Sequence, residues 1–298
     1  MKITGLHLLL TYQCNLECDH CFVWGKHDAK GVMVLSDIRE ICKEARKLGT
    51  VEWIYFEGGE PFLYYPIMLK GLKEATNMGF KTGIVTNGYW ATTIEDAMEW
   101  LTPISETGVV DLTISDDTLH YKKGDERPKN AVAAARELGM KVSTIVTENP
   151  KEYSRDIEQV GSPSSGGAVM FRGRAVEKLI EGMPRKPWDC FRKCLDENFL
   201  NQSRVHIDPF GYVHVCQGLT IGNWKDEPLS ELIWRFDPRS HPICGPLLEE
   251  GPAGLIYRYN LPHEESYVDE CHLCYLARLA LRERFPRYLA PDQMYGIY

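Results

Sequence analysis

Cys14-Asn15-Leu16-Glu17-Cys18-Asp19-His20-Cys21 follows closely on an apolar run, Leu6 to Leu10, that reads as a β-strand. The three cysteines therefore stand on the loop leaving the first strand. Iron–sulfur clusters are usually held by four cysteine thiolates. Three thiolates packed this tightly can hold three corners of a cubane and leave the fourth iron open. An open metal position is where substrates and cofactors bind. A short Cys/His tract can also bind zinc, with His20 as a further donor. Paired structural zinc ligands normally show C-x2-C or C-x4-C, however, and the spacing here is C-x3-C-x2-C. The position agrees with a catalytic role, since barrel enzymes place their chemistry at strand ends.

A second motif points the same way. Val51 to Phe56 reads as a buried strand, and Glu57-Gly58-Gly59-Glu60-Pro61 follows it directly. Glycines at a strand end let a ligand approach the backbone, because no side chain blocks it. The cysteine tract, with an aromatic residue before its last cysteine, and the Gly-Gly-Glu-Pro segment resemble the signature of the radical S-adenosylmethionine (SAM) enzymes. The resemblance implies that Cys14, Cys18 and Cys21 hold a 4Fe–4S cluster whose open iron chelates SAM. It also implies that Gly58, Gly59, Glu60 and Pro61 accept hydrogen bonds from the SAM amino group.

Composition sets no obstacle. A chain of 298 residues can bury one large core or two modest ones. Its 34 basic and 42 acidic residues give a net charge of −8, which argues against a general nucleic-acid or membrane-surface binder. There is no signal-peptide pattern and no apolar run long enough to span a bilayer. Ten cysteines in that setting point to metal or redox chemistry in a reducing compartment, and the chain is expected to be cytoplasmic.

Residues 1–183 alternate strand and helix patterns, with strands expected near 3–11, 51–57, 80–86, 109–115, 140–147 and 167–171. Ser36 is the expected cap of a helix from Asp37 to Leu48, closed by Gly49. Ile38, Ile41, Cys42 and Ala45 share one face of it, so Cys42 reads as a core thiol. Gly79 and Gly139 stand where left-handed helix ends are expected, and Thr93 with Asp96 resembles a capping box. Six such units with right-handed crossovers give an α/β fold, a parallel sheet curled part-way round. This is the partial (β/α)6 barrel that the resemblance implies.

The pattern changes at Pro184 and Pro187. Residues 184–298 are expected to form a small α+β domain, with a hairpin of Arg204–Ile207 and Tyr212–Val215 and helices over Leu229–Phe236 and Cys271–Phe285. This region holds Cys190, Cys194, Cys216, Cys244, Cys271 and Cys274. An upstream cysteine, a G-x4-C (Gly211 to Cys216) and a C-x2-C (Cys271 to Cys274) resemble the SPASM/twitch auxiliary-cluster extensions of radical SAM enzymes. The single-cluster twitch form fits better, because only one cysteine pair follows Cys216. The resemblance implies a second 4Fe–4S cluster on Cys194, Cys216, Cys271 and Cys274, with Cys190 able to replace Cys194. Cys244 reads as a loop or packing cysteine, and His272 as a packing residue beside the cluster. Four thiolates equally suit structural zinc.

Further contacts are expected at strand ends. Asn87, Ser115 and Asp116 are candidates for the SAM ribose, although turn and cap roles fit the same residues. Arg172 and Arg174 are candidates for clamping a carboxylate of SAM or substrate. Asp116, Asp117, His120 or His206 could accept a proton from a substrate radical. The resemblance implies reductive SAM cleavage, fed by a donor such as flavodoxin or ferredoxin, and hydrogen abstraction from substrate by a 5′-deoxyadenosyl radical. An auxiliary cluster would suit a net two-electron oxidation in peptide or protein maturation. Only a few residues precede the first strand, which speaks against an N-terminal leader-binding domain and keeps dehydrogenation of a small-molecule alcohol close behind. A zinc-stabilised binding scaffold without catalysis is the non-enzyme alternative.

Overall fold

The computed structural model describes residues 1–150 and 167–298. Five strands follow one another with helical crossovers: β1 (Gly5–Thr11), β2 (Trp53–Gly58), β3 (Lys81–Thr86), β4 (Asp111–Ser115) and β5 (Val142–Ile145). The crossovers are α1 (Leu35–Leu48), α2 (Tyr65–Asn77), α3 (Ile94–Ser105) and α4 (Arg127–Glu137). All four β-to-β pairings are parallel. Alternation along these strands decides which face the helices cover. Leu6, Leu8, Ile54, Phe56, Ile84, Leu112 and Ile114 are fully buried. Phe56 and Ile38 of α1 both press on Gly71 of α2, so this set faces the helices. His7, Tyr55 and Glu57, which alternate with it, lie on the opposite, inner face.

The sixth strand is reduced to a fragment. Only Gly167–Ala168 (β7) is extended, and it pairs in parallel with Thr147–Glu148 (β6) in a two-stranded sheet of its own. From Arg172 the chain bends inward, because Gly173 takes φ +61° against the backbone of Cys21 and Phe22. A short helix, α5 (Ala175–Lys178), follows. The architecture is the expected mixed α/β fold built on a parallel, partly curled sheet.

The carboxyl-terminal region adds to the same sheet. After the short β8 (Lys186–Pro187), β9 (Arg204–Ile207) pairs in parallel with β1. β10 (Tyr212–Cys216) returns antiparallel to β9, as the hairpin reading expects, and β11 (Leu219–Asn223) extends it. The full order is β11-β10-β9-β1-β2-β3-β4-β5. α6 (Leu229–Arg235), α7 (Cys244–Tyr259) and α8 (Glu270–Ala280) complete the fold, with β12 (Ser266–Tyr267) paired to β8. One apolar cluster runs from Ile3 and Leu8 through Ile207 and Ile233 to Leu255 and Leu273, and a smaller one gathers Val169, Phe171, Ala175 and Leu179. Glu44 of α1 adds a polar tie, accepting from both the backbone N and the hydroxyl of Ser230 in α6.

Local details differ from expectation in three places. Ser36 does not cap α1: the helix starts at Leu35, and Asp37 N already bonds Val34 O, because Met33 N is drawn onto Leu10 O beside β1. α7 was hidden by Pro246, Gly251 and Pro252. It kinks at Glu250 and Gly251, where Gly251 lies against the backbone of Arg192 and Lys193. Cys244 is consequently a fully buried helical residue, not a loop one. α8 ends at Ala280, five residues short, in turns that close on Ala277 and Arg278. Gly49, Gly79 and Gly139 do take positive φ, and Thr93 Oγ1 accepts from Asp96 N.

Candidate active site

The cysteine loop leaves the carboxyl end of β1 and is pinned at several points. Cys14 N donates to Lys26 O, and Cys21 N closes a turn on Cys18 O. Gly25 N donates to Cys21 Sγ (3.2 Å), and Leu16 N to Cys14 Sγ (3.4 Å). Arg174, almost fully buried, donates from Nη1 to Cys18 O and from Nη2 to Gly25 O, both at 2.8 Å. Its guanidinium therefore holds the loop rather than standing free for a carboxylate. Burial pushes the Cys14 thiol up to about 12, and burial, with Cys21 and Cys14 alongside, raises Cys18 strongly too. Such thiols ionise only when a cation offsets the charge.

Gly58 and Gly59 serve a structural need of their own. Gly59 N bonds Thr11 O and Glu60 N bonds Gln13 O, so this turn is laced onto the start of the cysteine loop. A Cβ on Gly59 would stand 2.2 Å from Gln13 O, and one on Gly58 2.4 Å from Thr11 O. Glu60 is fully buried beside the buried Pro61. Its carboxylate accepts from Phe62 N, Thr86 Oγ1 and Asn87 N, tying the end of β2 to the end of β3. Burial nonetheless moves it up to about 7.

Asn87 reaches back to the loop, donating to Asn15 Oδ1 and, at 3.7 Å, to Cys14 Sγ. Ser115 is buried at the end of β4, and the next residue, Asp116, is exposed. Asp117 accepts from His120 Nδ1 at 2.8 Å and from three backbone N–H groups. Burial would raise its carboxyl, but His120 outweighs this and holds it below the ordinary value. The His120 ring meets His20 edge-on at 4.7 Å. His20 Nδ1 is buried without a partner among the described residues. His20, Asp117 and His120 thus border the cysteines, and Asp116 is exposed.

Cys194, Cys216, Cys271 and Cys274 line one cavity, together with Asp196, Arg172 and Arg278. Cys190 lies outside it and is exposed. Cys271 arrives on the first turn of α8, which Asp269 caps through His272 N at 2.7 Å. Burial moves Cys194 up to about 12 and Cys274 up to about 11. Cys271 Sγ donates to Asp196 Oδ2 at 2.6 Å. Arg172 lies here, not at the rim with Asn87 and Ser115: Nη1 is 3.4 Å from Cys216 Sγ, and its buried Nε has no partner among the described residues. Arg278 is also buried. Two buried guanidiniums call for negative charge nearby, which four thiolates on a metal centre would provide. The donor set fits a thiolate-held cluster or ion.

One group on the inner face is assembled from three strands and is not evident from local sequence. His7 Nδ1 (β1) and His206 Nε2 (β9) stand 2.8 and 3.3 Å from the same Oε1 of Glu57 (β2). Burial would raise Glu57, but the two histidines outweigh it and hold the carboxyl well down. Burial pulls His206 down to about 4 despite Glu57. His206 stood among the proton acceptors; His7 and Glu57 did not. The available signal was a histidine interrupting Leu6-His7-Leu8 and an acid ending a buried strand.

Comparison with known proteins agrees with this geometry. The family model of the radical SAM superfamily matches residues 8–160, just over half of the chain. This chain belongs to the radical SAM superfamily. A radical SAM enzyme of this kind uses a 4Fe–4S cluster and SAM, and Cys14, Cys18 and Cys21 offer three sulfurs at the strand end where that family model begins. The putative peptide biosynthesis protein YydG of Bacillus subtilis is 30% identical over 286 residues, covering 94% of this chain and 81% of that protein. The tungsten-containing aldehyde ferredoxin oxidoreductase cofactor-modifying protein of Pyrococcus furiosus is 31% identical over 179 residues, 59% of this chain and 46% of that one. The crystal structure of BtrN in complex with AdoMet and 2-DOIA superposes with a TM-score of 0.56 at 15% identity, over 92% of each chain, which shows a shared fold. Among the described residues no helix is long and apolar enough to cross a membrane.

Proposed function

We propose that this chain carries out a SAM-dependent net two-electron oxidation of a peptide or protein, begun by hydrogen abstraction at an unactivated C–H bond. The observation that carries the proposal is the second cysteine set, Cys194, Cys216, Cys271 and Cys274, gathered around one cavity between Arg172 and Arg278. The YydG likeness over nearly the whole chain supports a peptide substrate. In this reading residues 1–183 serve the radical centre and residues 184–298 the auxiliary one. When bound, the first cluster with SAM supplies a 5′-deoxyadenosyl radical and the second a one-electron acceptor, with flavodoxin or ferredoxin as reductant.

The chain's own residues have the following parts. Cys14, Cys18 and Cys21 ligate, and Arg174 fixes the carbonyls of their loop. Backbone groups of Gly58 to Pro61 receive the SAM amino group, since the Glu60 carboxylate is taken up by protein donors. Asn87 and Ser115 are assigned to the ribose. His120, fixed through Nδ1 by Asp117, presents Nε2 as the acceptor for a substrate proton. Asp196 can take the proton that Cys271 must release to ligate.

The test starts from anaerobically reconstituted protein. With SAM and dithionite it is expected to release 5′-deoxyadenosine, and the variant with Cys14, Cys18 and Cys21 all changed to Ala is not. That variant should still hold about four irons per chain; zinc in place of iron would remove the auxiliary acceptor and the oxidative proposal with it. Short peptides encoded beside the gene should lose two hydrogens on incubation. Loss of two hydrogens from small alcohols alone would overturn the peptide assignment.

A further inference from the structure

We propose that His7, Glu57 and His206 bind one first-row divalent cation on the inner face of the sheet, at a site separate from both cysteine sets. The three side chains come from neighbouring strands of one hydrogen-bonded ladder, β9-β1-β2. His7 is in register with Tyr55 on one side and His206 on the other, and Glu57 is two residues beyond Tyr55. This platform is rigid. Tyr55 stacks on the His7 ring at 4.8 Å and 14°, and its hydroxyl is held by Asp111.

The donor geometry suits a shared ion. One donor atom from each residue lies within 4.8 Å of the others, and both imidazole nitrogens converge on a single carboxylate oxygen. Ligands about 2.0–2.2 Å from zinc stand roughly 3–3.5 Å apart, close to the 2.8 and 3.3 Å seen here. The His7 and His206 nitrogens, within 4.8 Å of each other, draw together around the cation when it binds. Two imidazoles and one carboxylate suit zinc and ferrous iron alike, and with only three protein ligands positions stay open for water or substrate oxygen. The side chains are 11–19% exposed, so the group is neither a solvated surface pair nor sealed. Glu57 immediately precedes Gly58-Gly59, which puts the ion just below the rim where SAM is proposed to bind. No cysteine takes part, so the site does not draw on the ligands of either cluster.

Zinc is the probe, because such donor sets bind it more tightly than ferrous or manganous ions. The holoenzyme, with its clusters reconstituted anaerobically, is equilibrated with one equivalent of zinc chloride per chain and desalted. About one zinc per chain should remain, and zinc-edge X-ray absorption should give nitrogen and oxygen neighbours at about 2.0–2.2 Å with no sulfur at about 2.3 Å. Glu57→Gln and His206→Gln should each lower retained zinc at least tenfold with iron content unchanged. No retained zinc in the wild-type protein, a shell containing sulfur, or retention unaffected by both substitutions would overturn the proposal. The absorption measurement needs no variant, so it decides the matter even if a substitution prevents folding.

Discussion

Arg174 Nη1 donates to the carbonyl of Cys18 at 2.8 Å, across 156 residues of chain. A buried guanidinium is thereby tied to the turn between Cys18 and Cys21, and its second arm holds Gly25 O. Arg174→Ala leaves both carbonyls without that donor. The first cluster should then be lost to an iron chelator several-fold faster than from the wild-type protein, with Arg174→Lys between the two. Equal loss rates would mean that the loop is held by its own turns alone.

The cavity separates two cysteines that spacing could not. In the background lacking Cys14, Cys18 and Cys21, Cys194→Ala should abolish the remaining iron, and Cys190→Ala should leave about four irons per chain. Cys190 is exposed and Cys194 lines the cavity. Iron counts in the opposite order would exchange the two ligands.

Gly59→Ala tests whether this glycine serves the backbone rather than only a ligand. A Cβ 2.2 Å from Gln13 O forces the turn and the cysteine loop apart. A destabilisation of about 1–3 kcal/mol is expected from such overpacking, read as a lowered urea midpoint in protein without SAM. An unchanged midpoint would assign the glycine to ligand approach only.

Glu44 joins α1 to α6 through two bonds from Ser230, and Lys47 pairs with it from outside. Burial alone would raise its carboxyl, but Lys47 and Ser230 outweigh this and lower it from 4.5. A depressed carboxyl stabilises the fold above its unfolded value and loses that contribution as the pH falls toward its folded value. Glu44→Gln should therefore cost about 1.5–3 kcal/mol at pH 7, and the difference from wild type should shrink below about pH 4.5. Acid lability of the clusters is common to both proteins and cancels in the difference. A gap that stays constant down to pH 3.5 would assign the effect to packing.

Much of the molecule was legible from local chemistry. The cysteine spacing, the Gly-Gly-Glu-Pro turn and the alternation of strand and helix depend on neighbours close in the chain, and the first five strands fall where periodicity puts them. At the sixth strand, α7 and the cap of α1, contacts with distant backbone (Cys21, Arg192 and Leu10) override local preference.

The sequence by itself determined the family, the parallel α/β architecture and the two sets of cysteines, because ligand type and spacing are local properties. Only the tertiary structure decided that β9 joins β1, that Arg172 faces the second cysteine set and not the first, and that Arg174 clamps the loop. It alone brought His7, Glu57 and His206 to one point. Each of these depends on strand register and burial between residues far apart in the chain, and no local pattern encodes the distance between two such side chains.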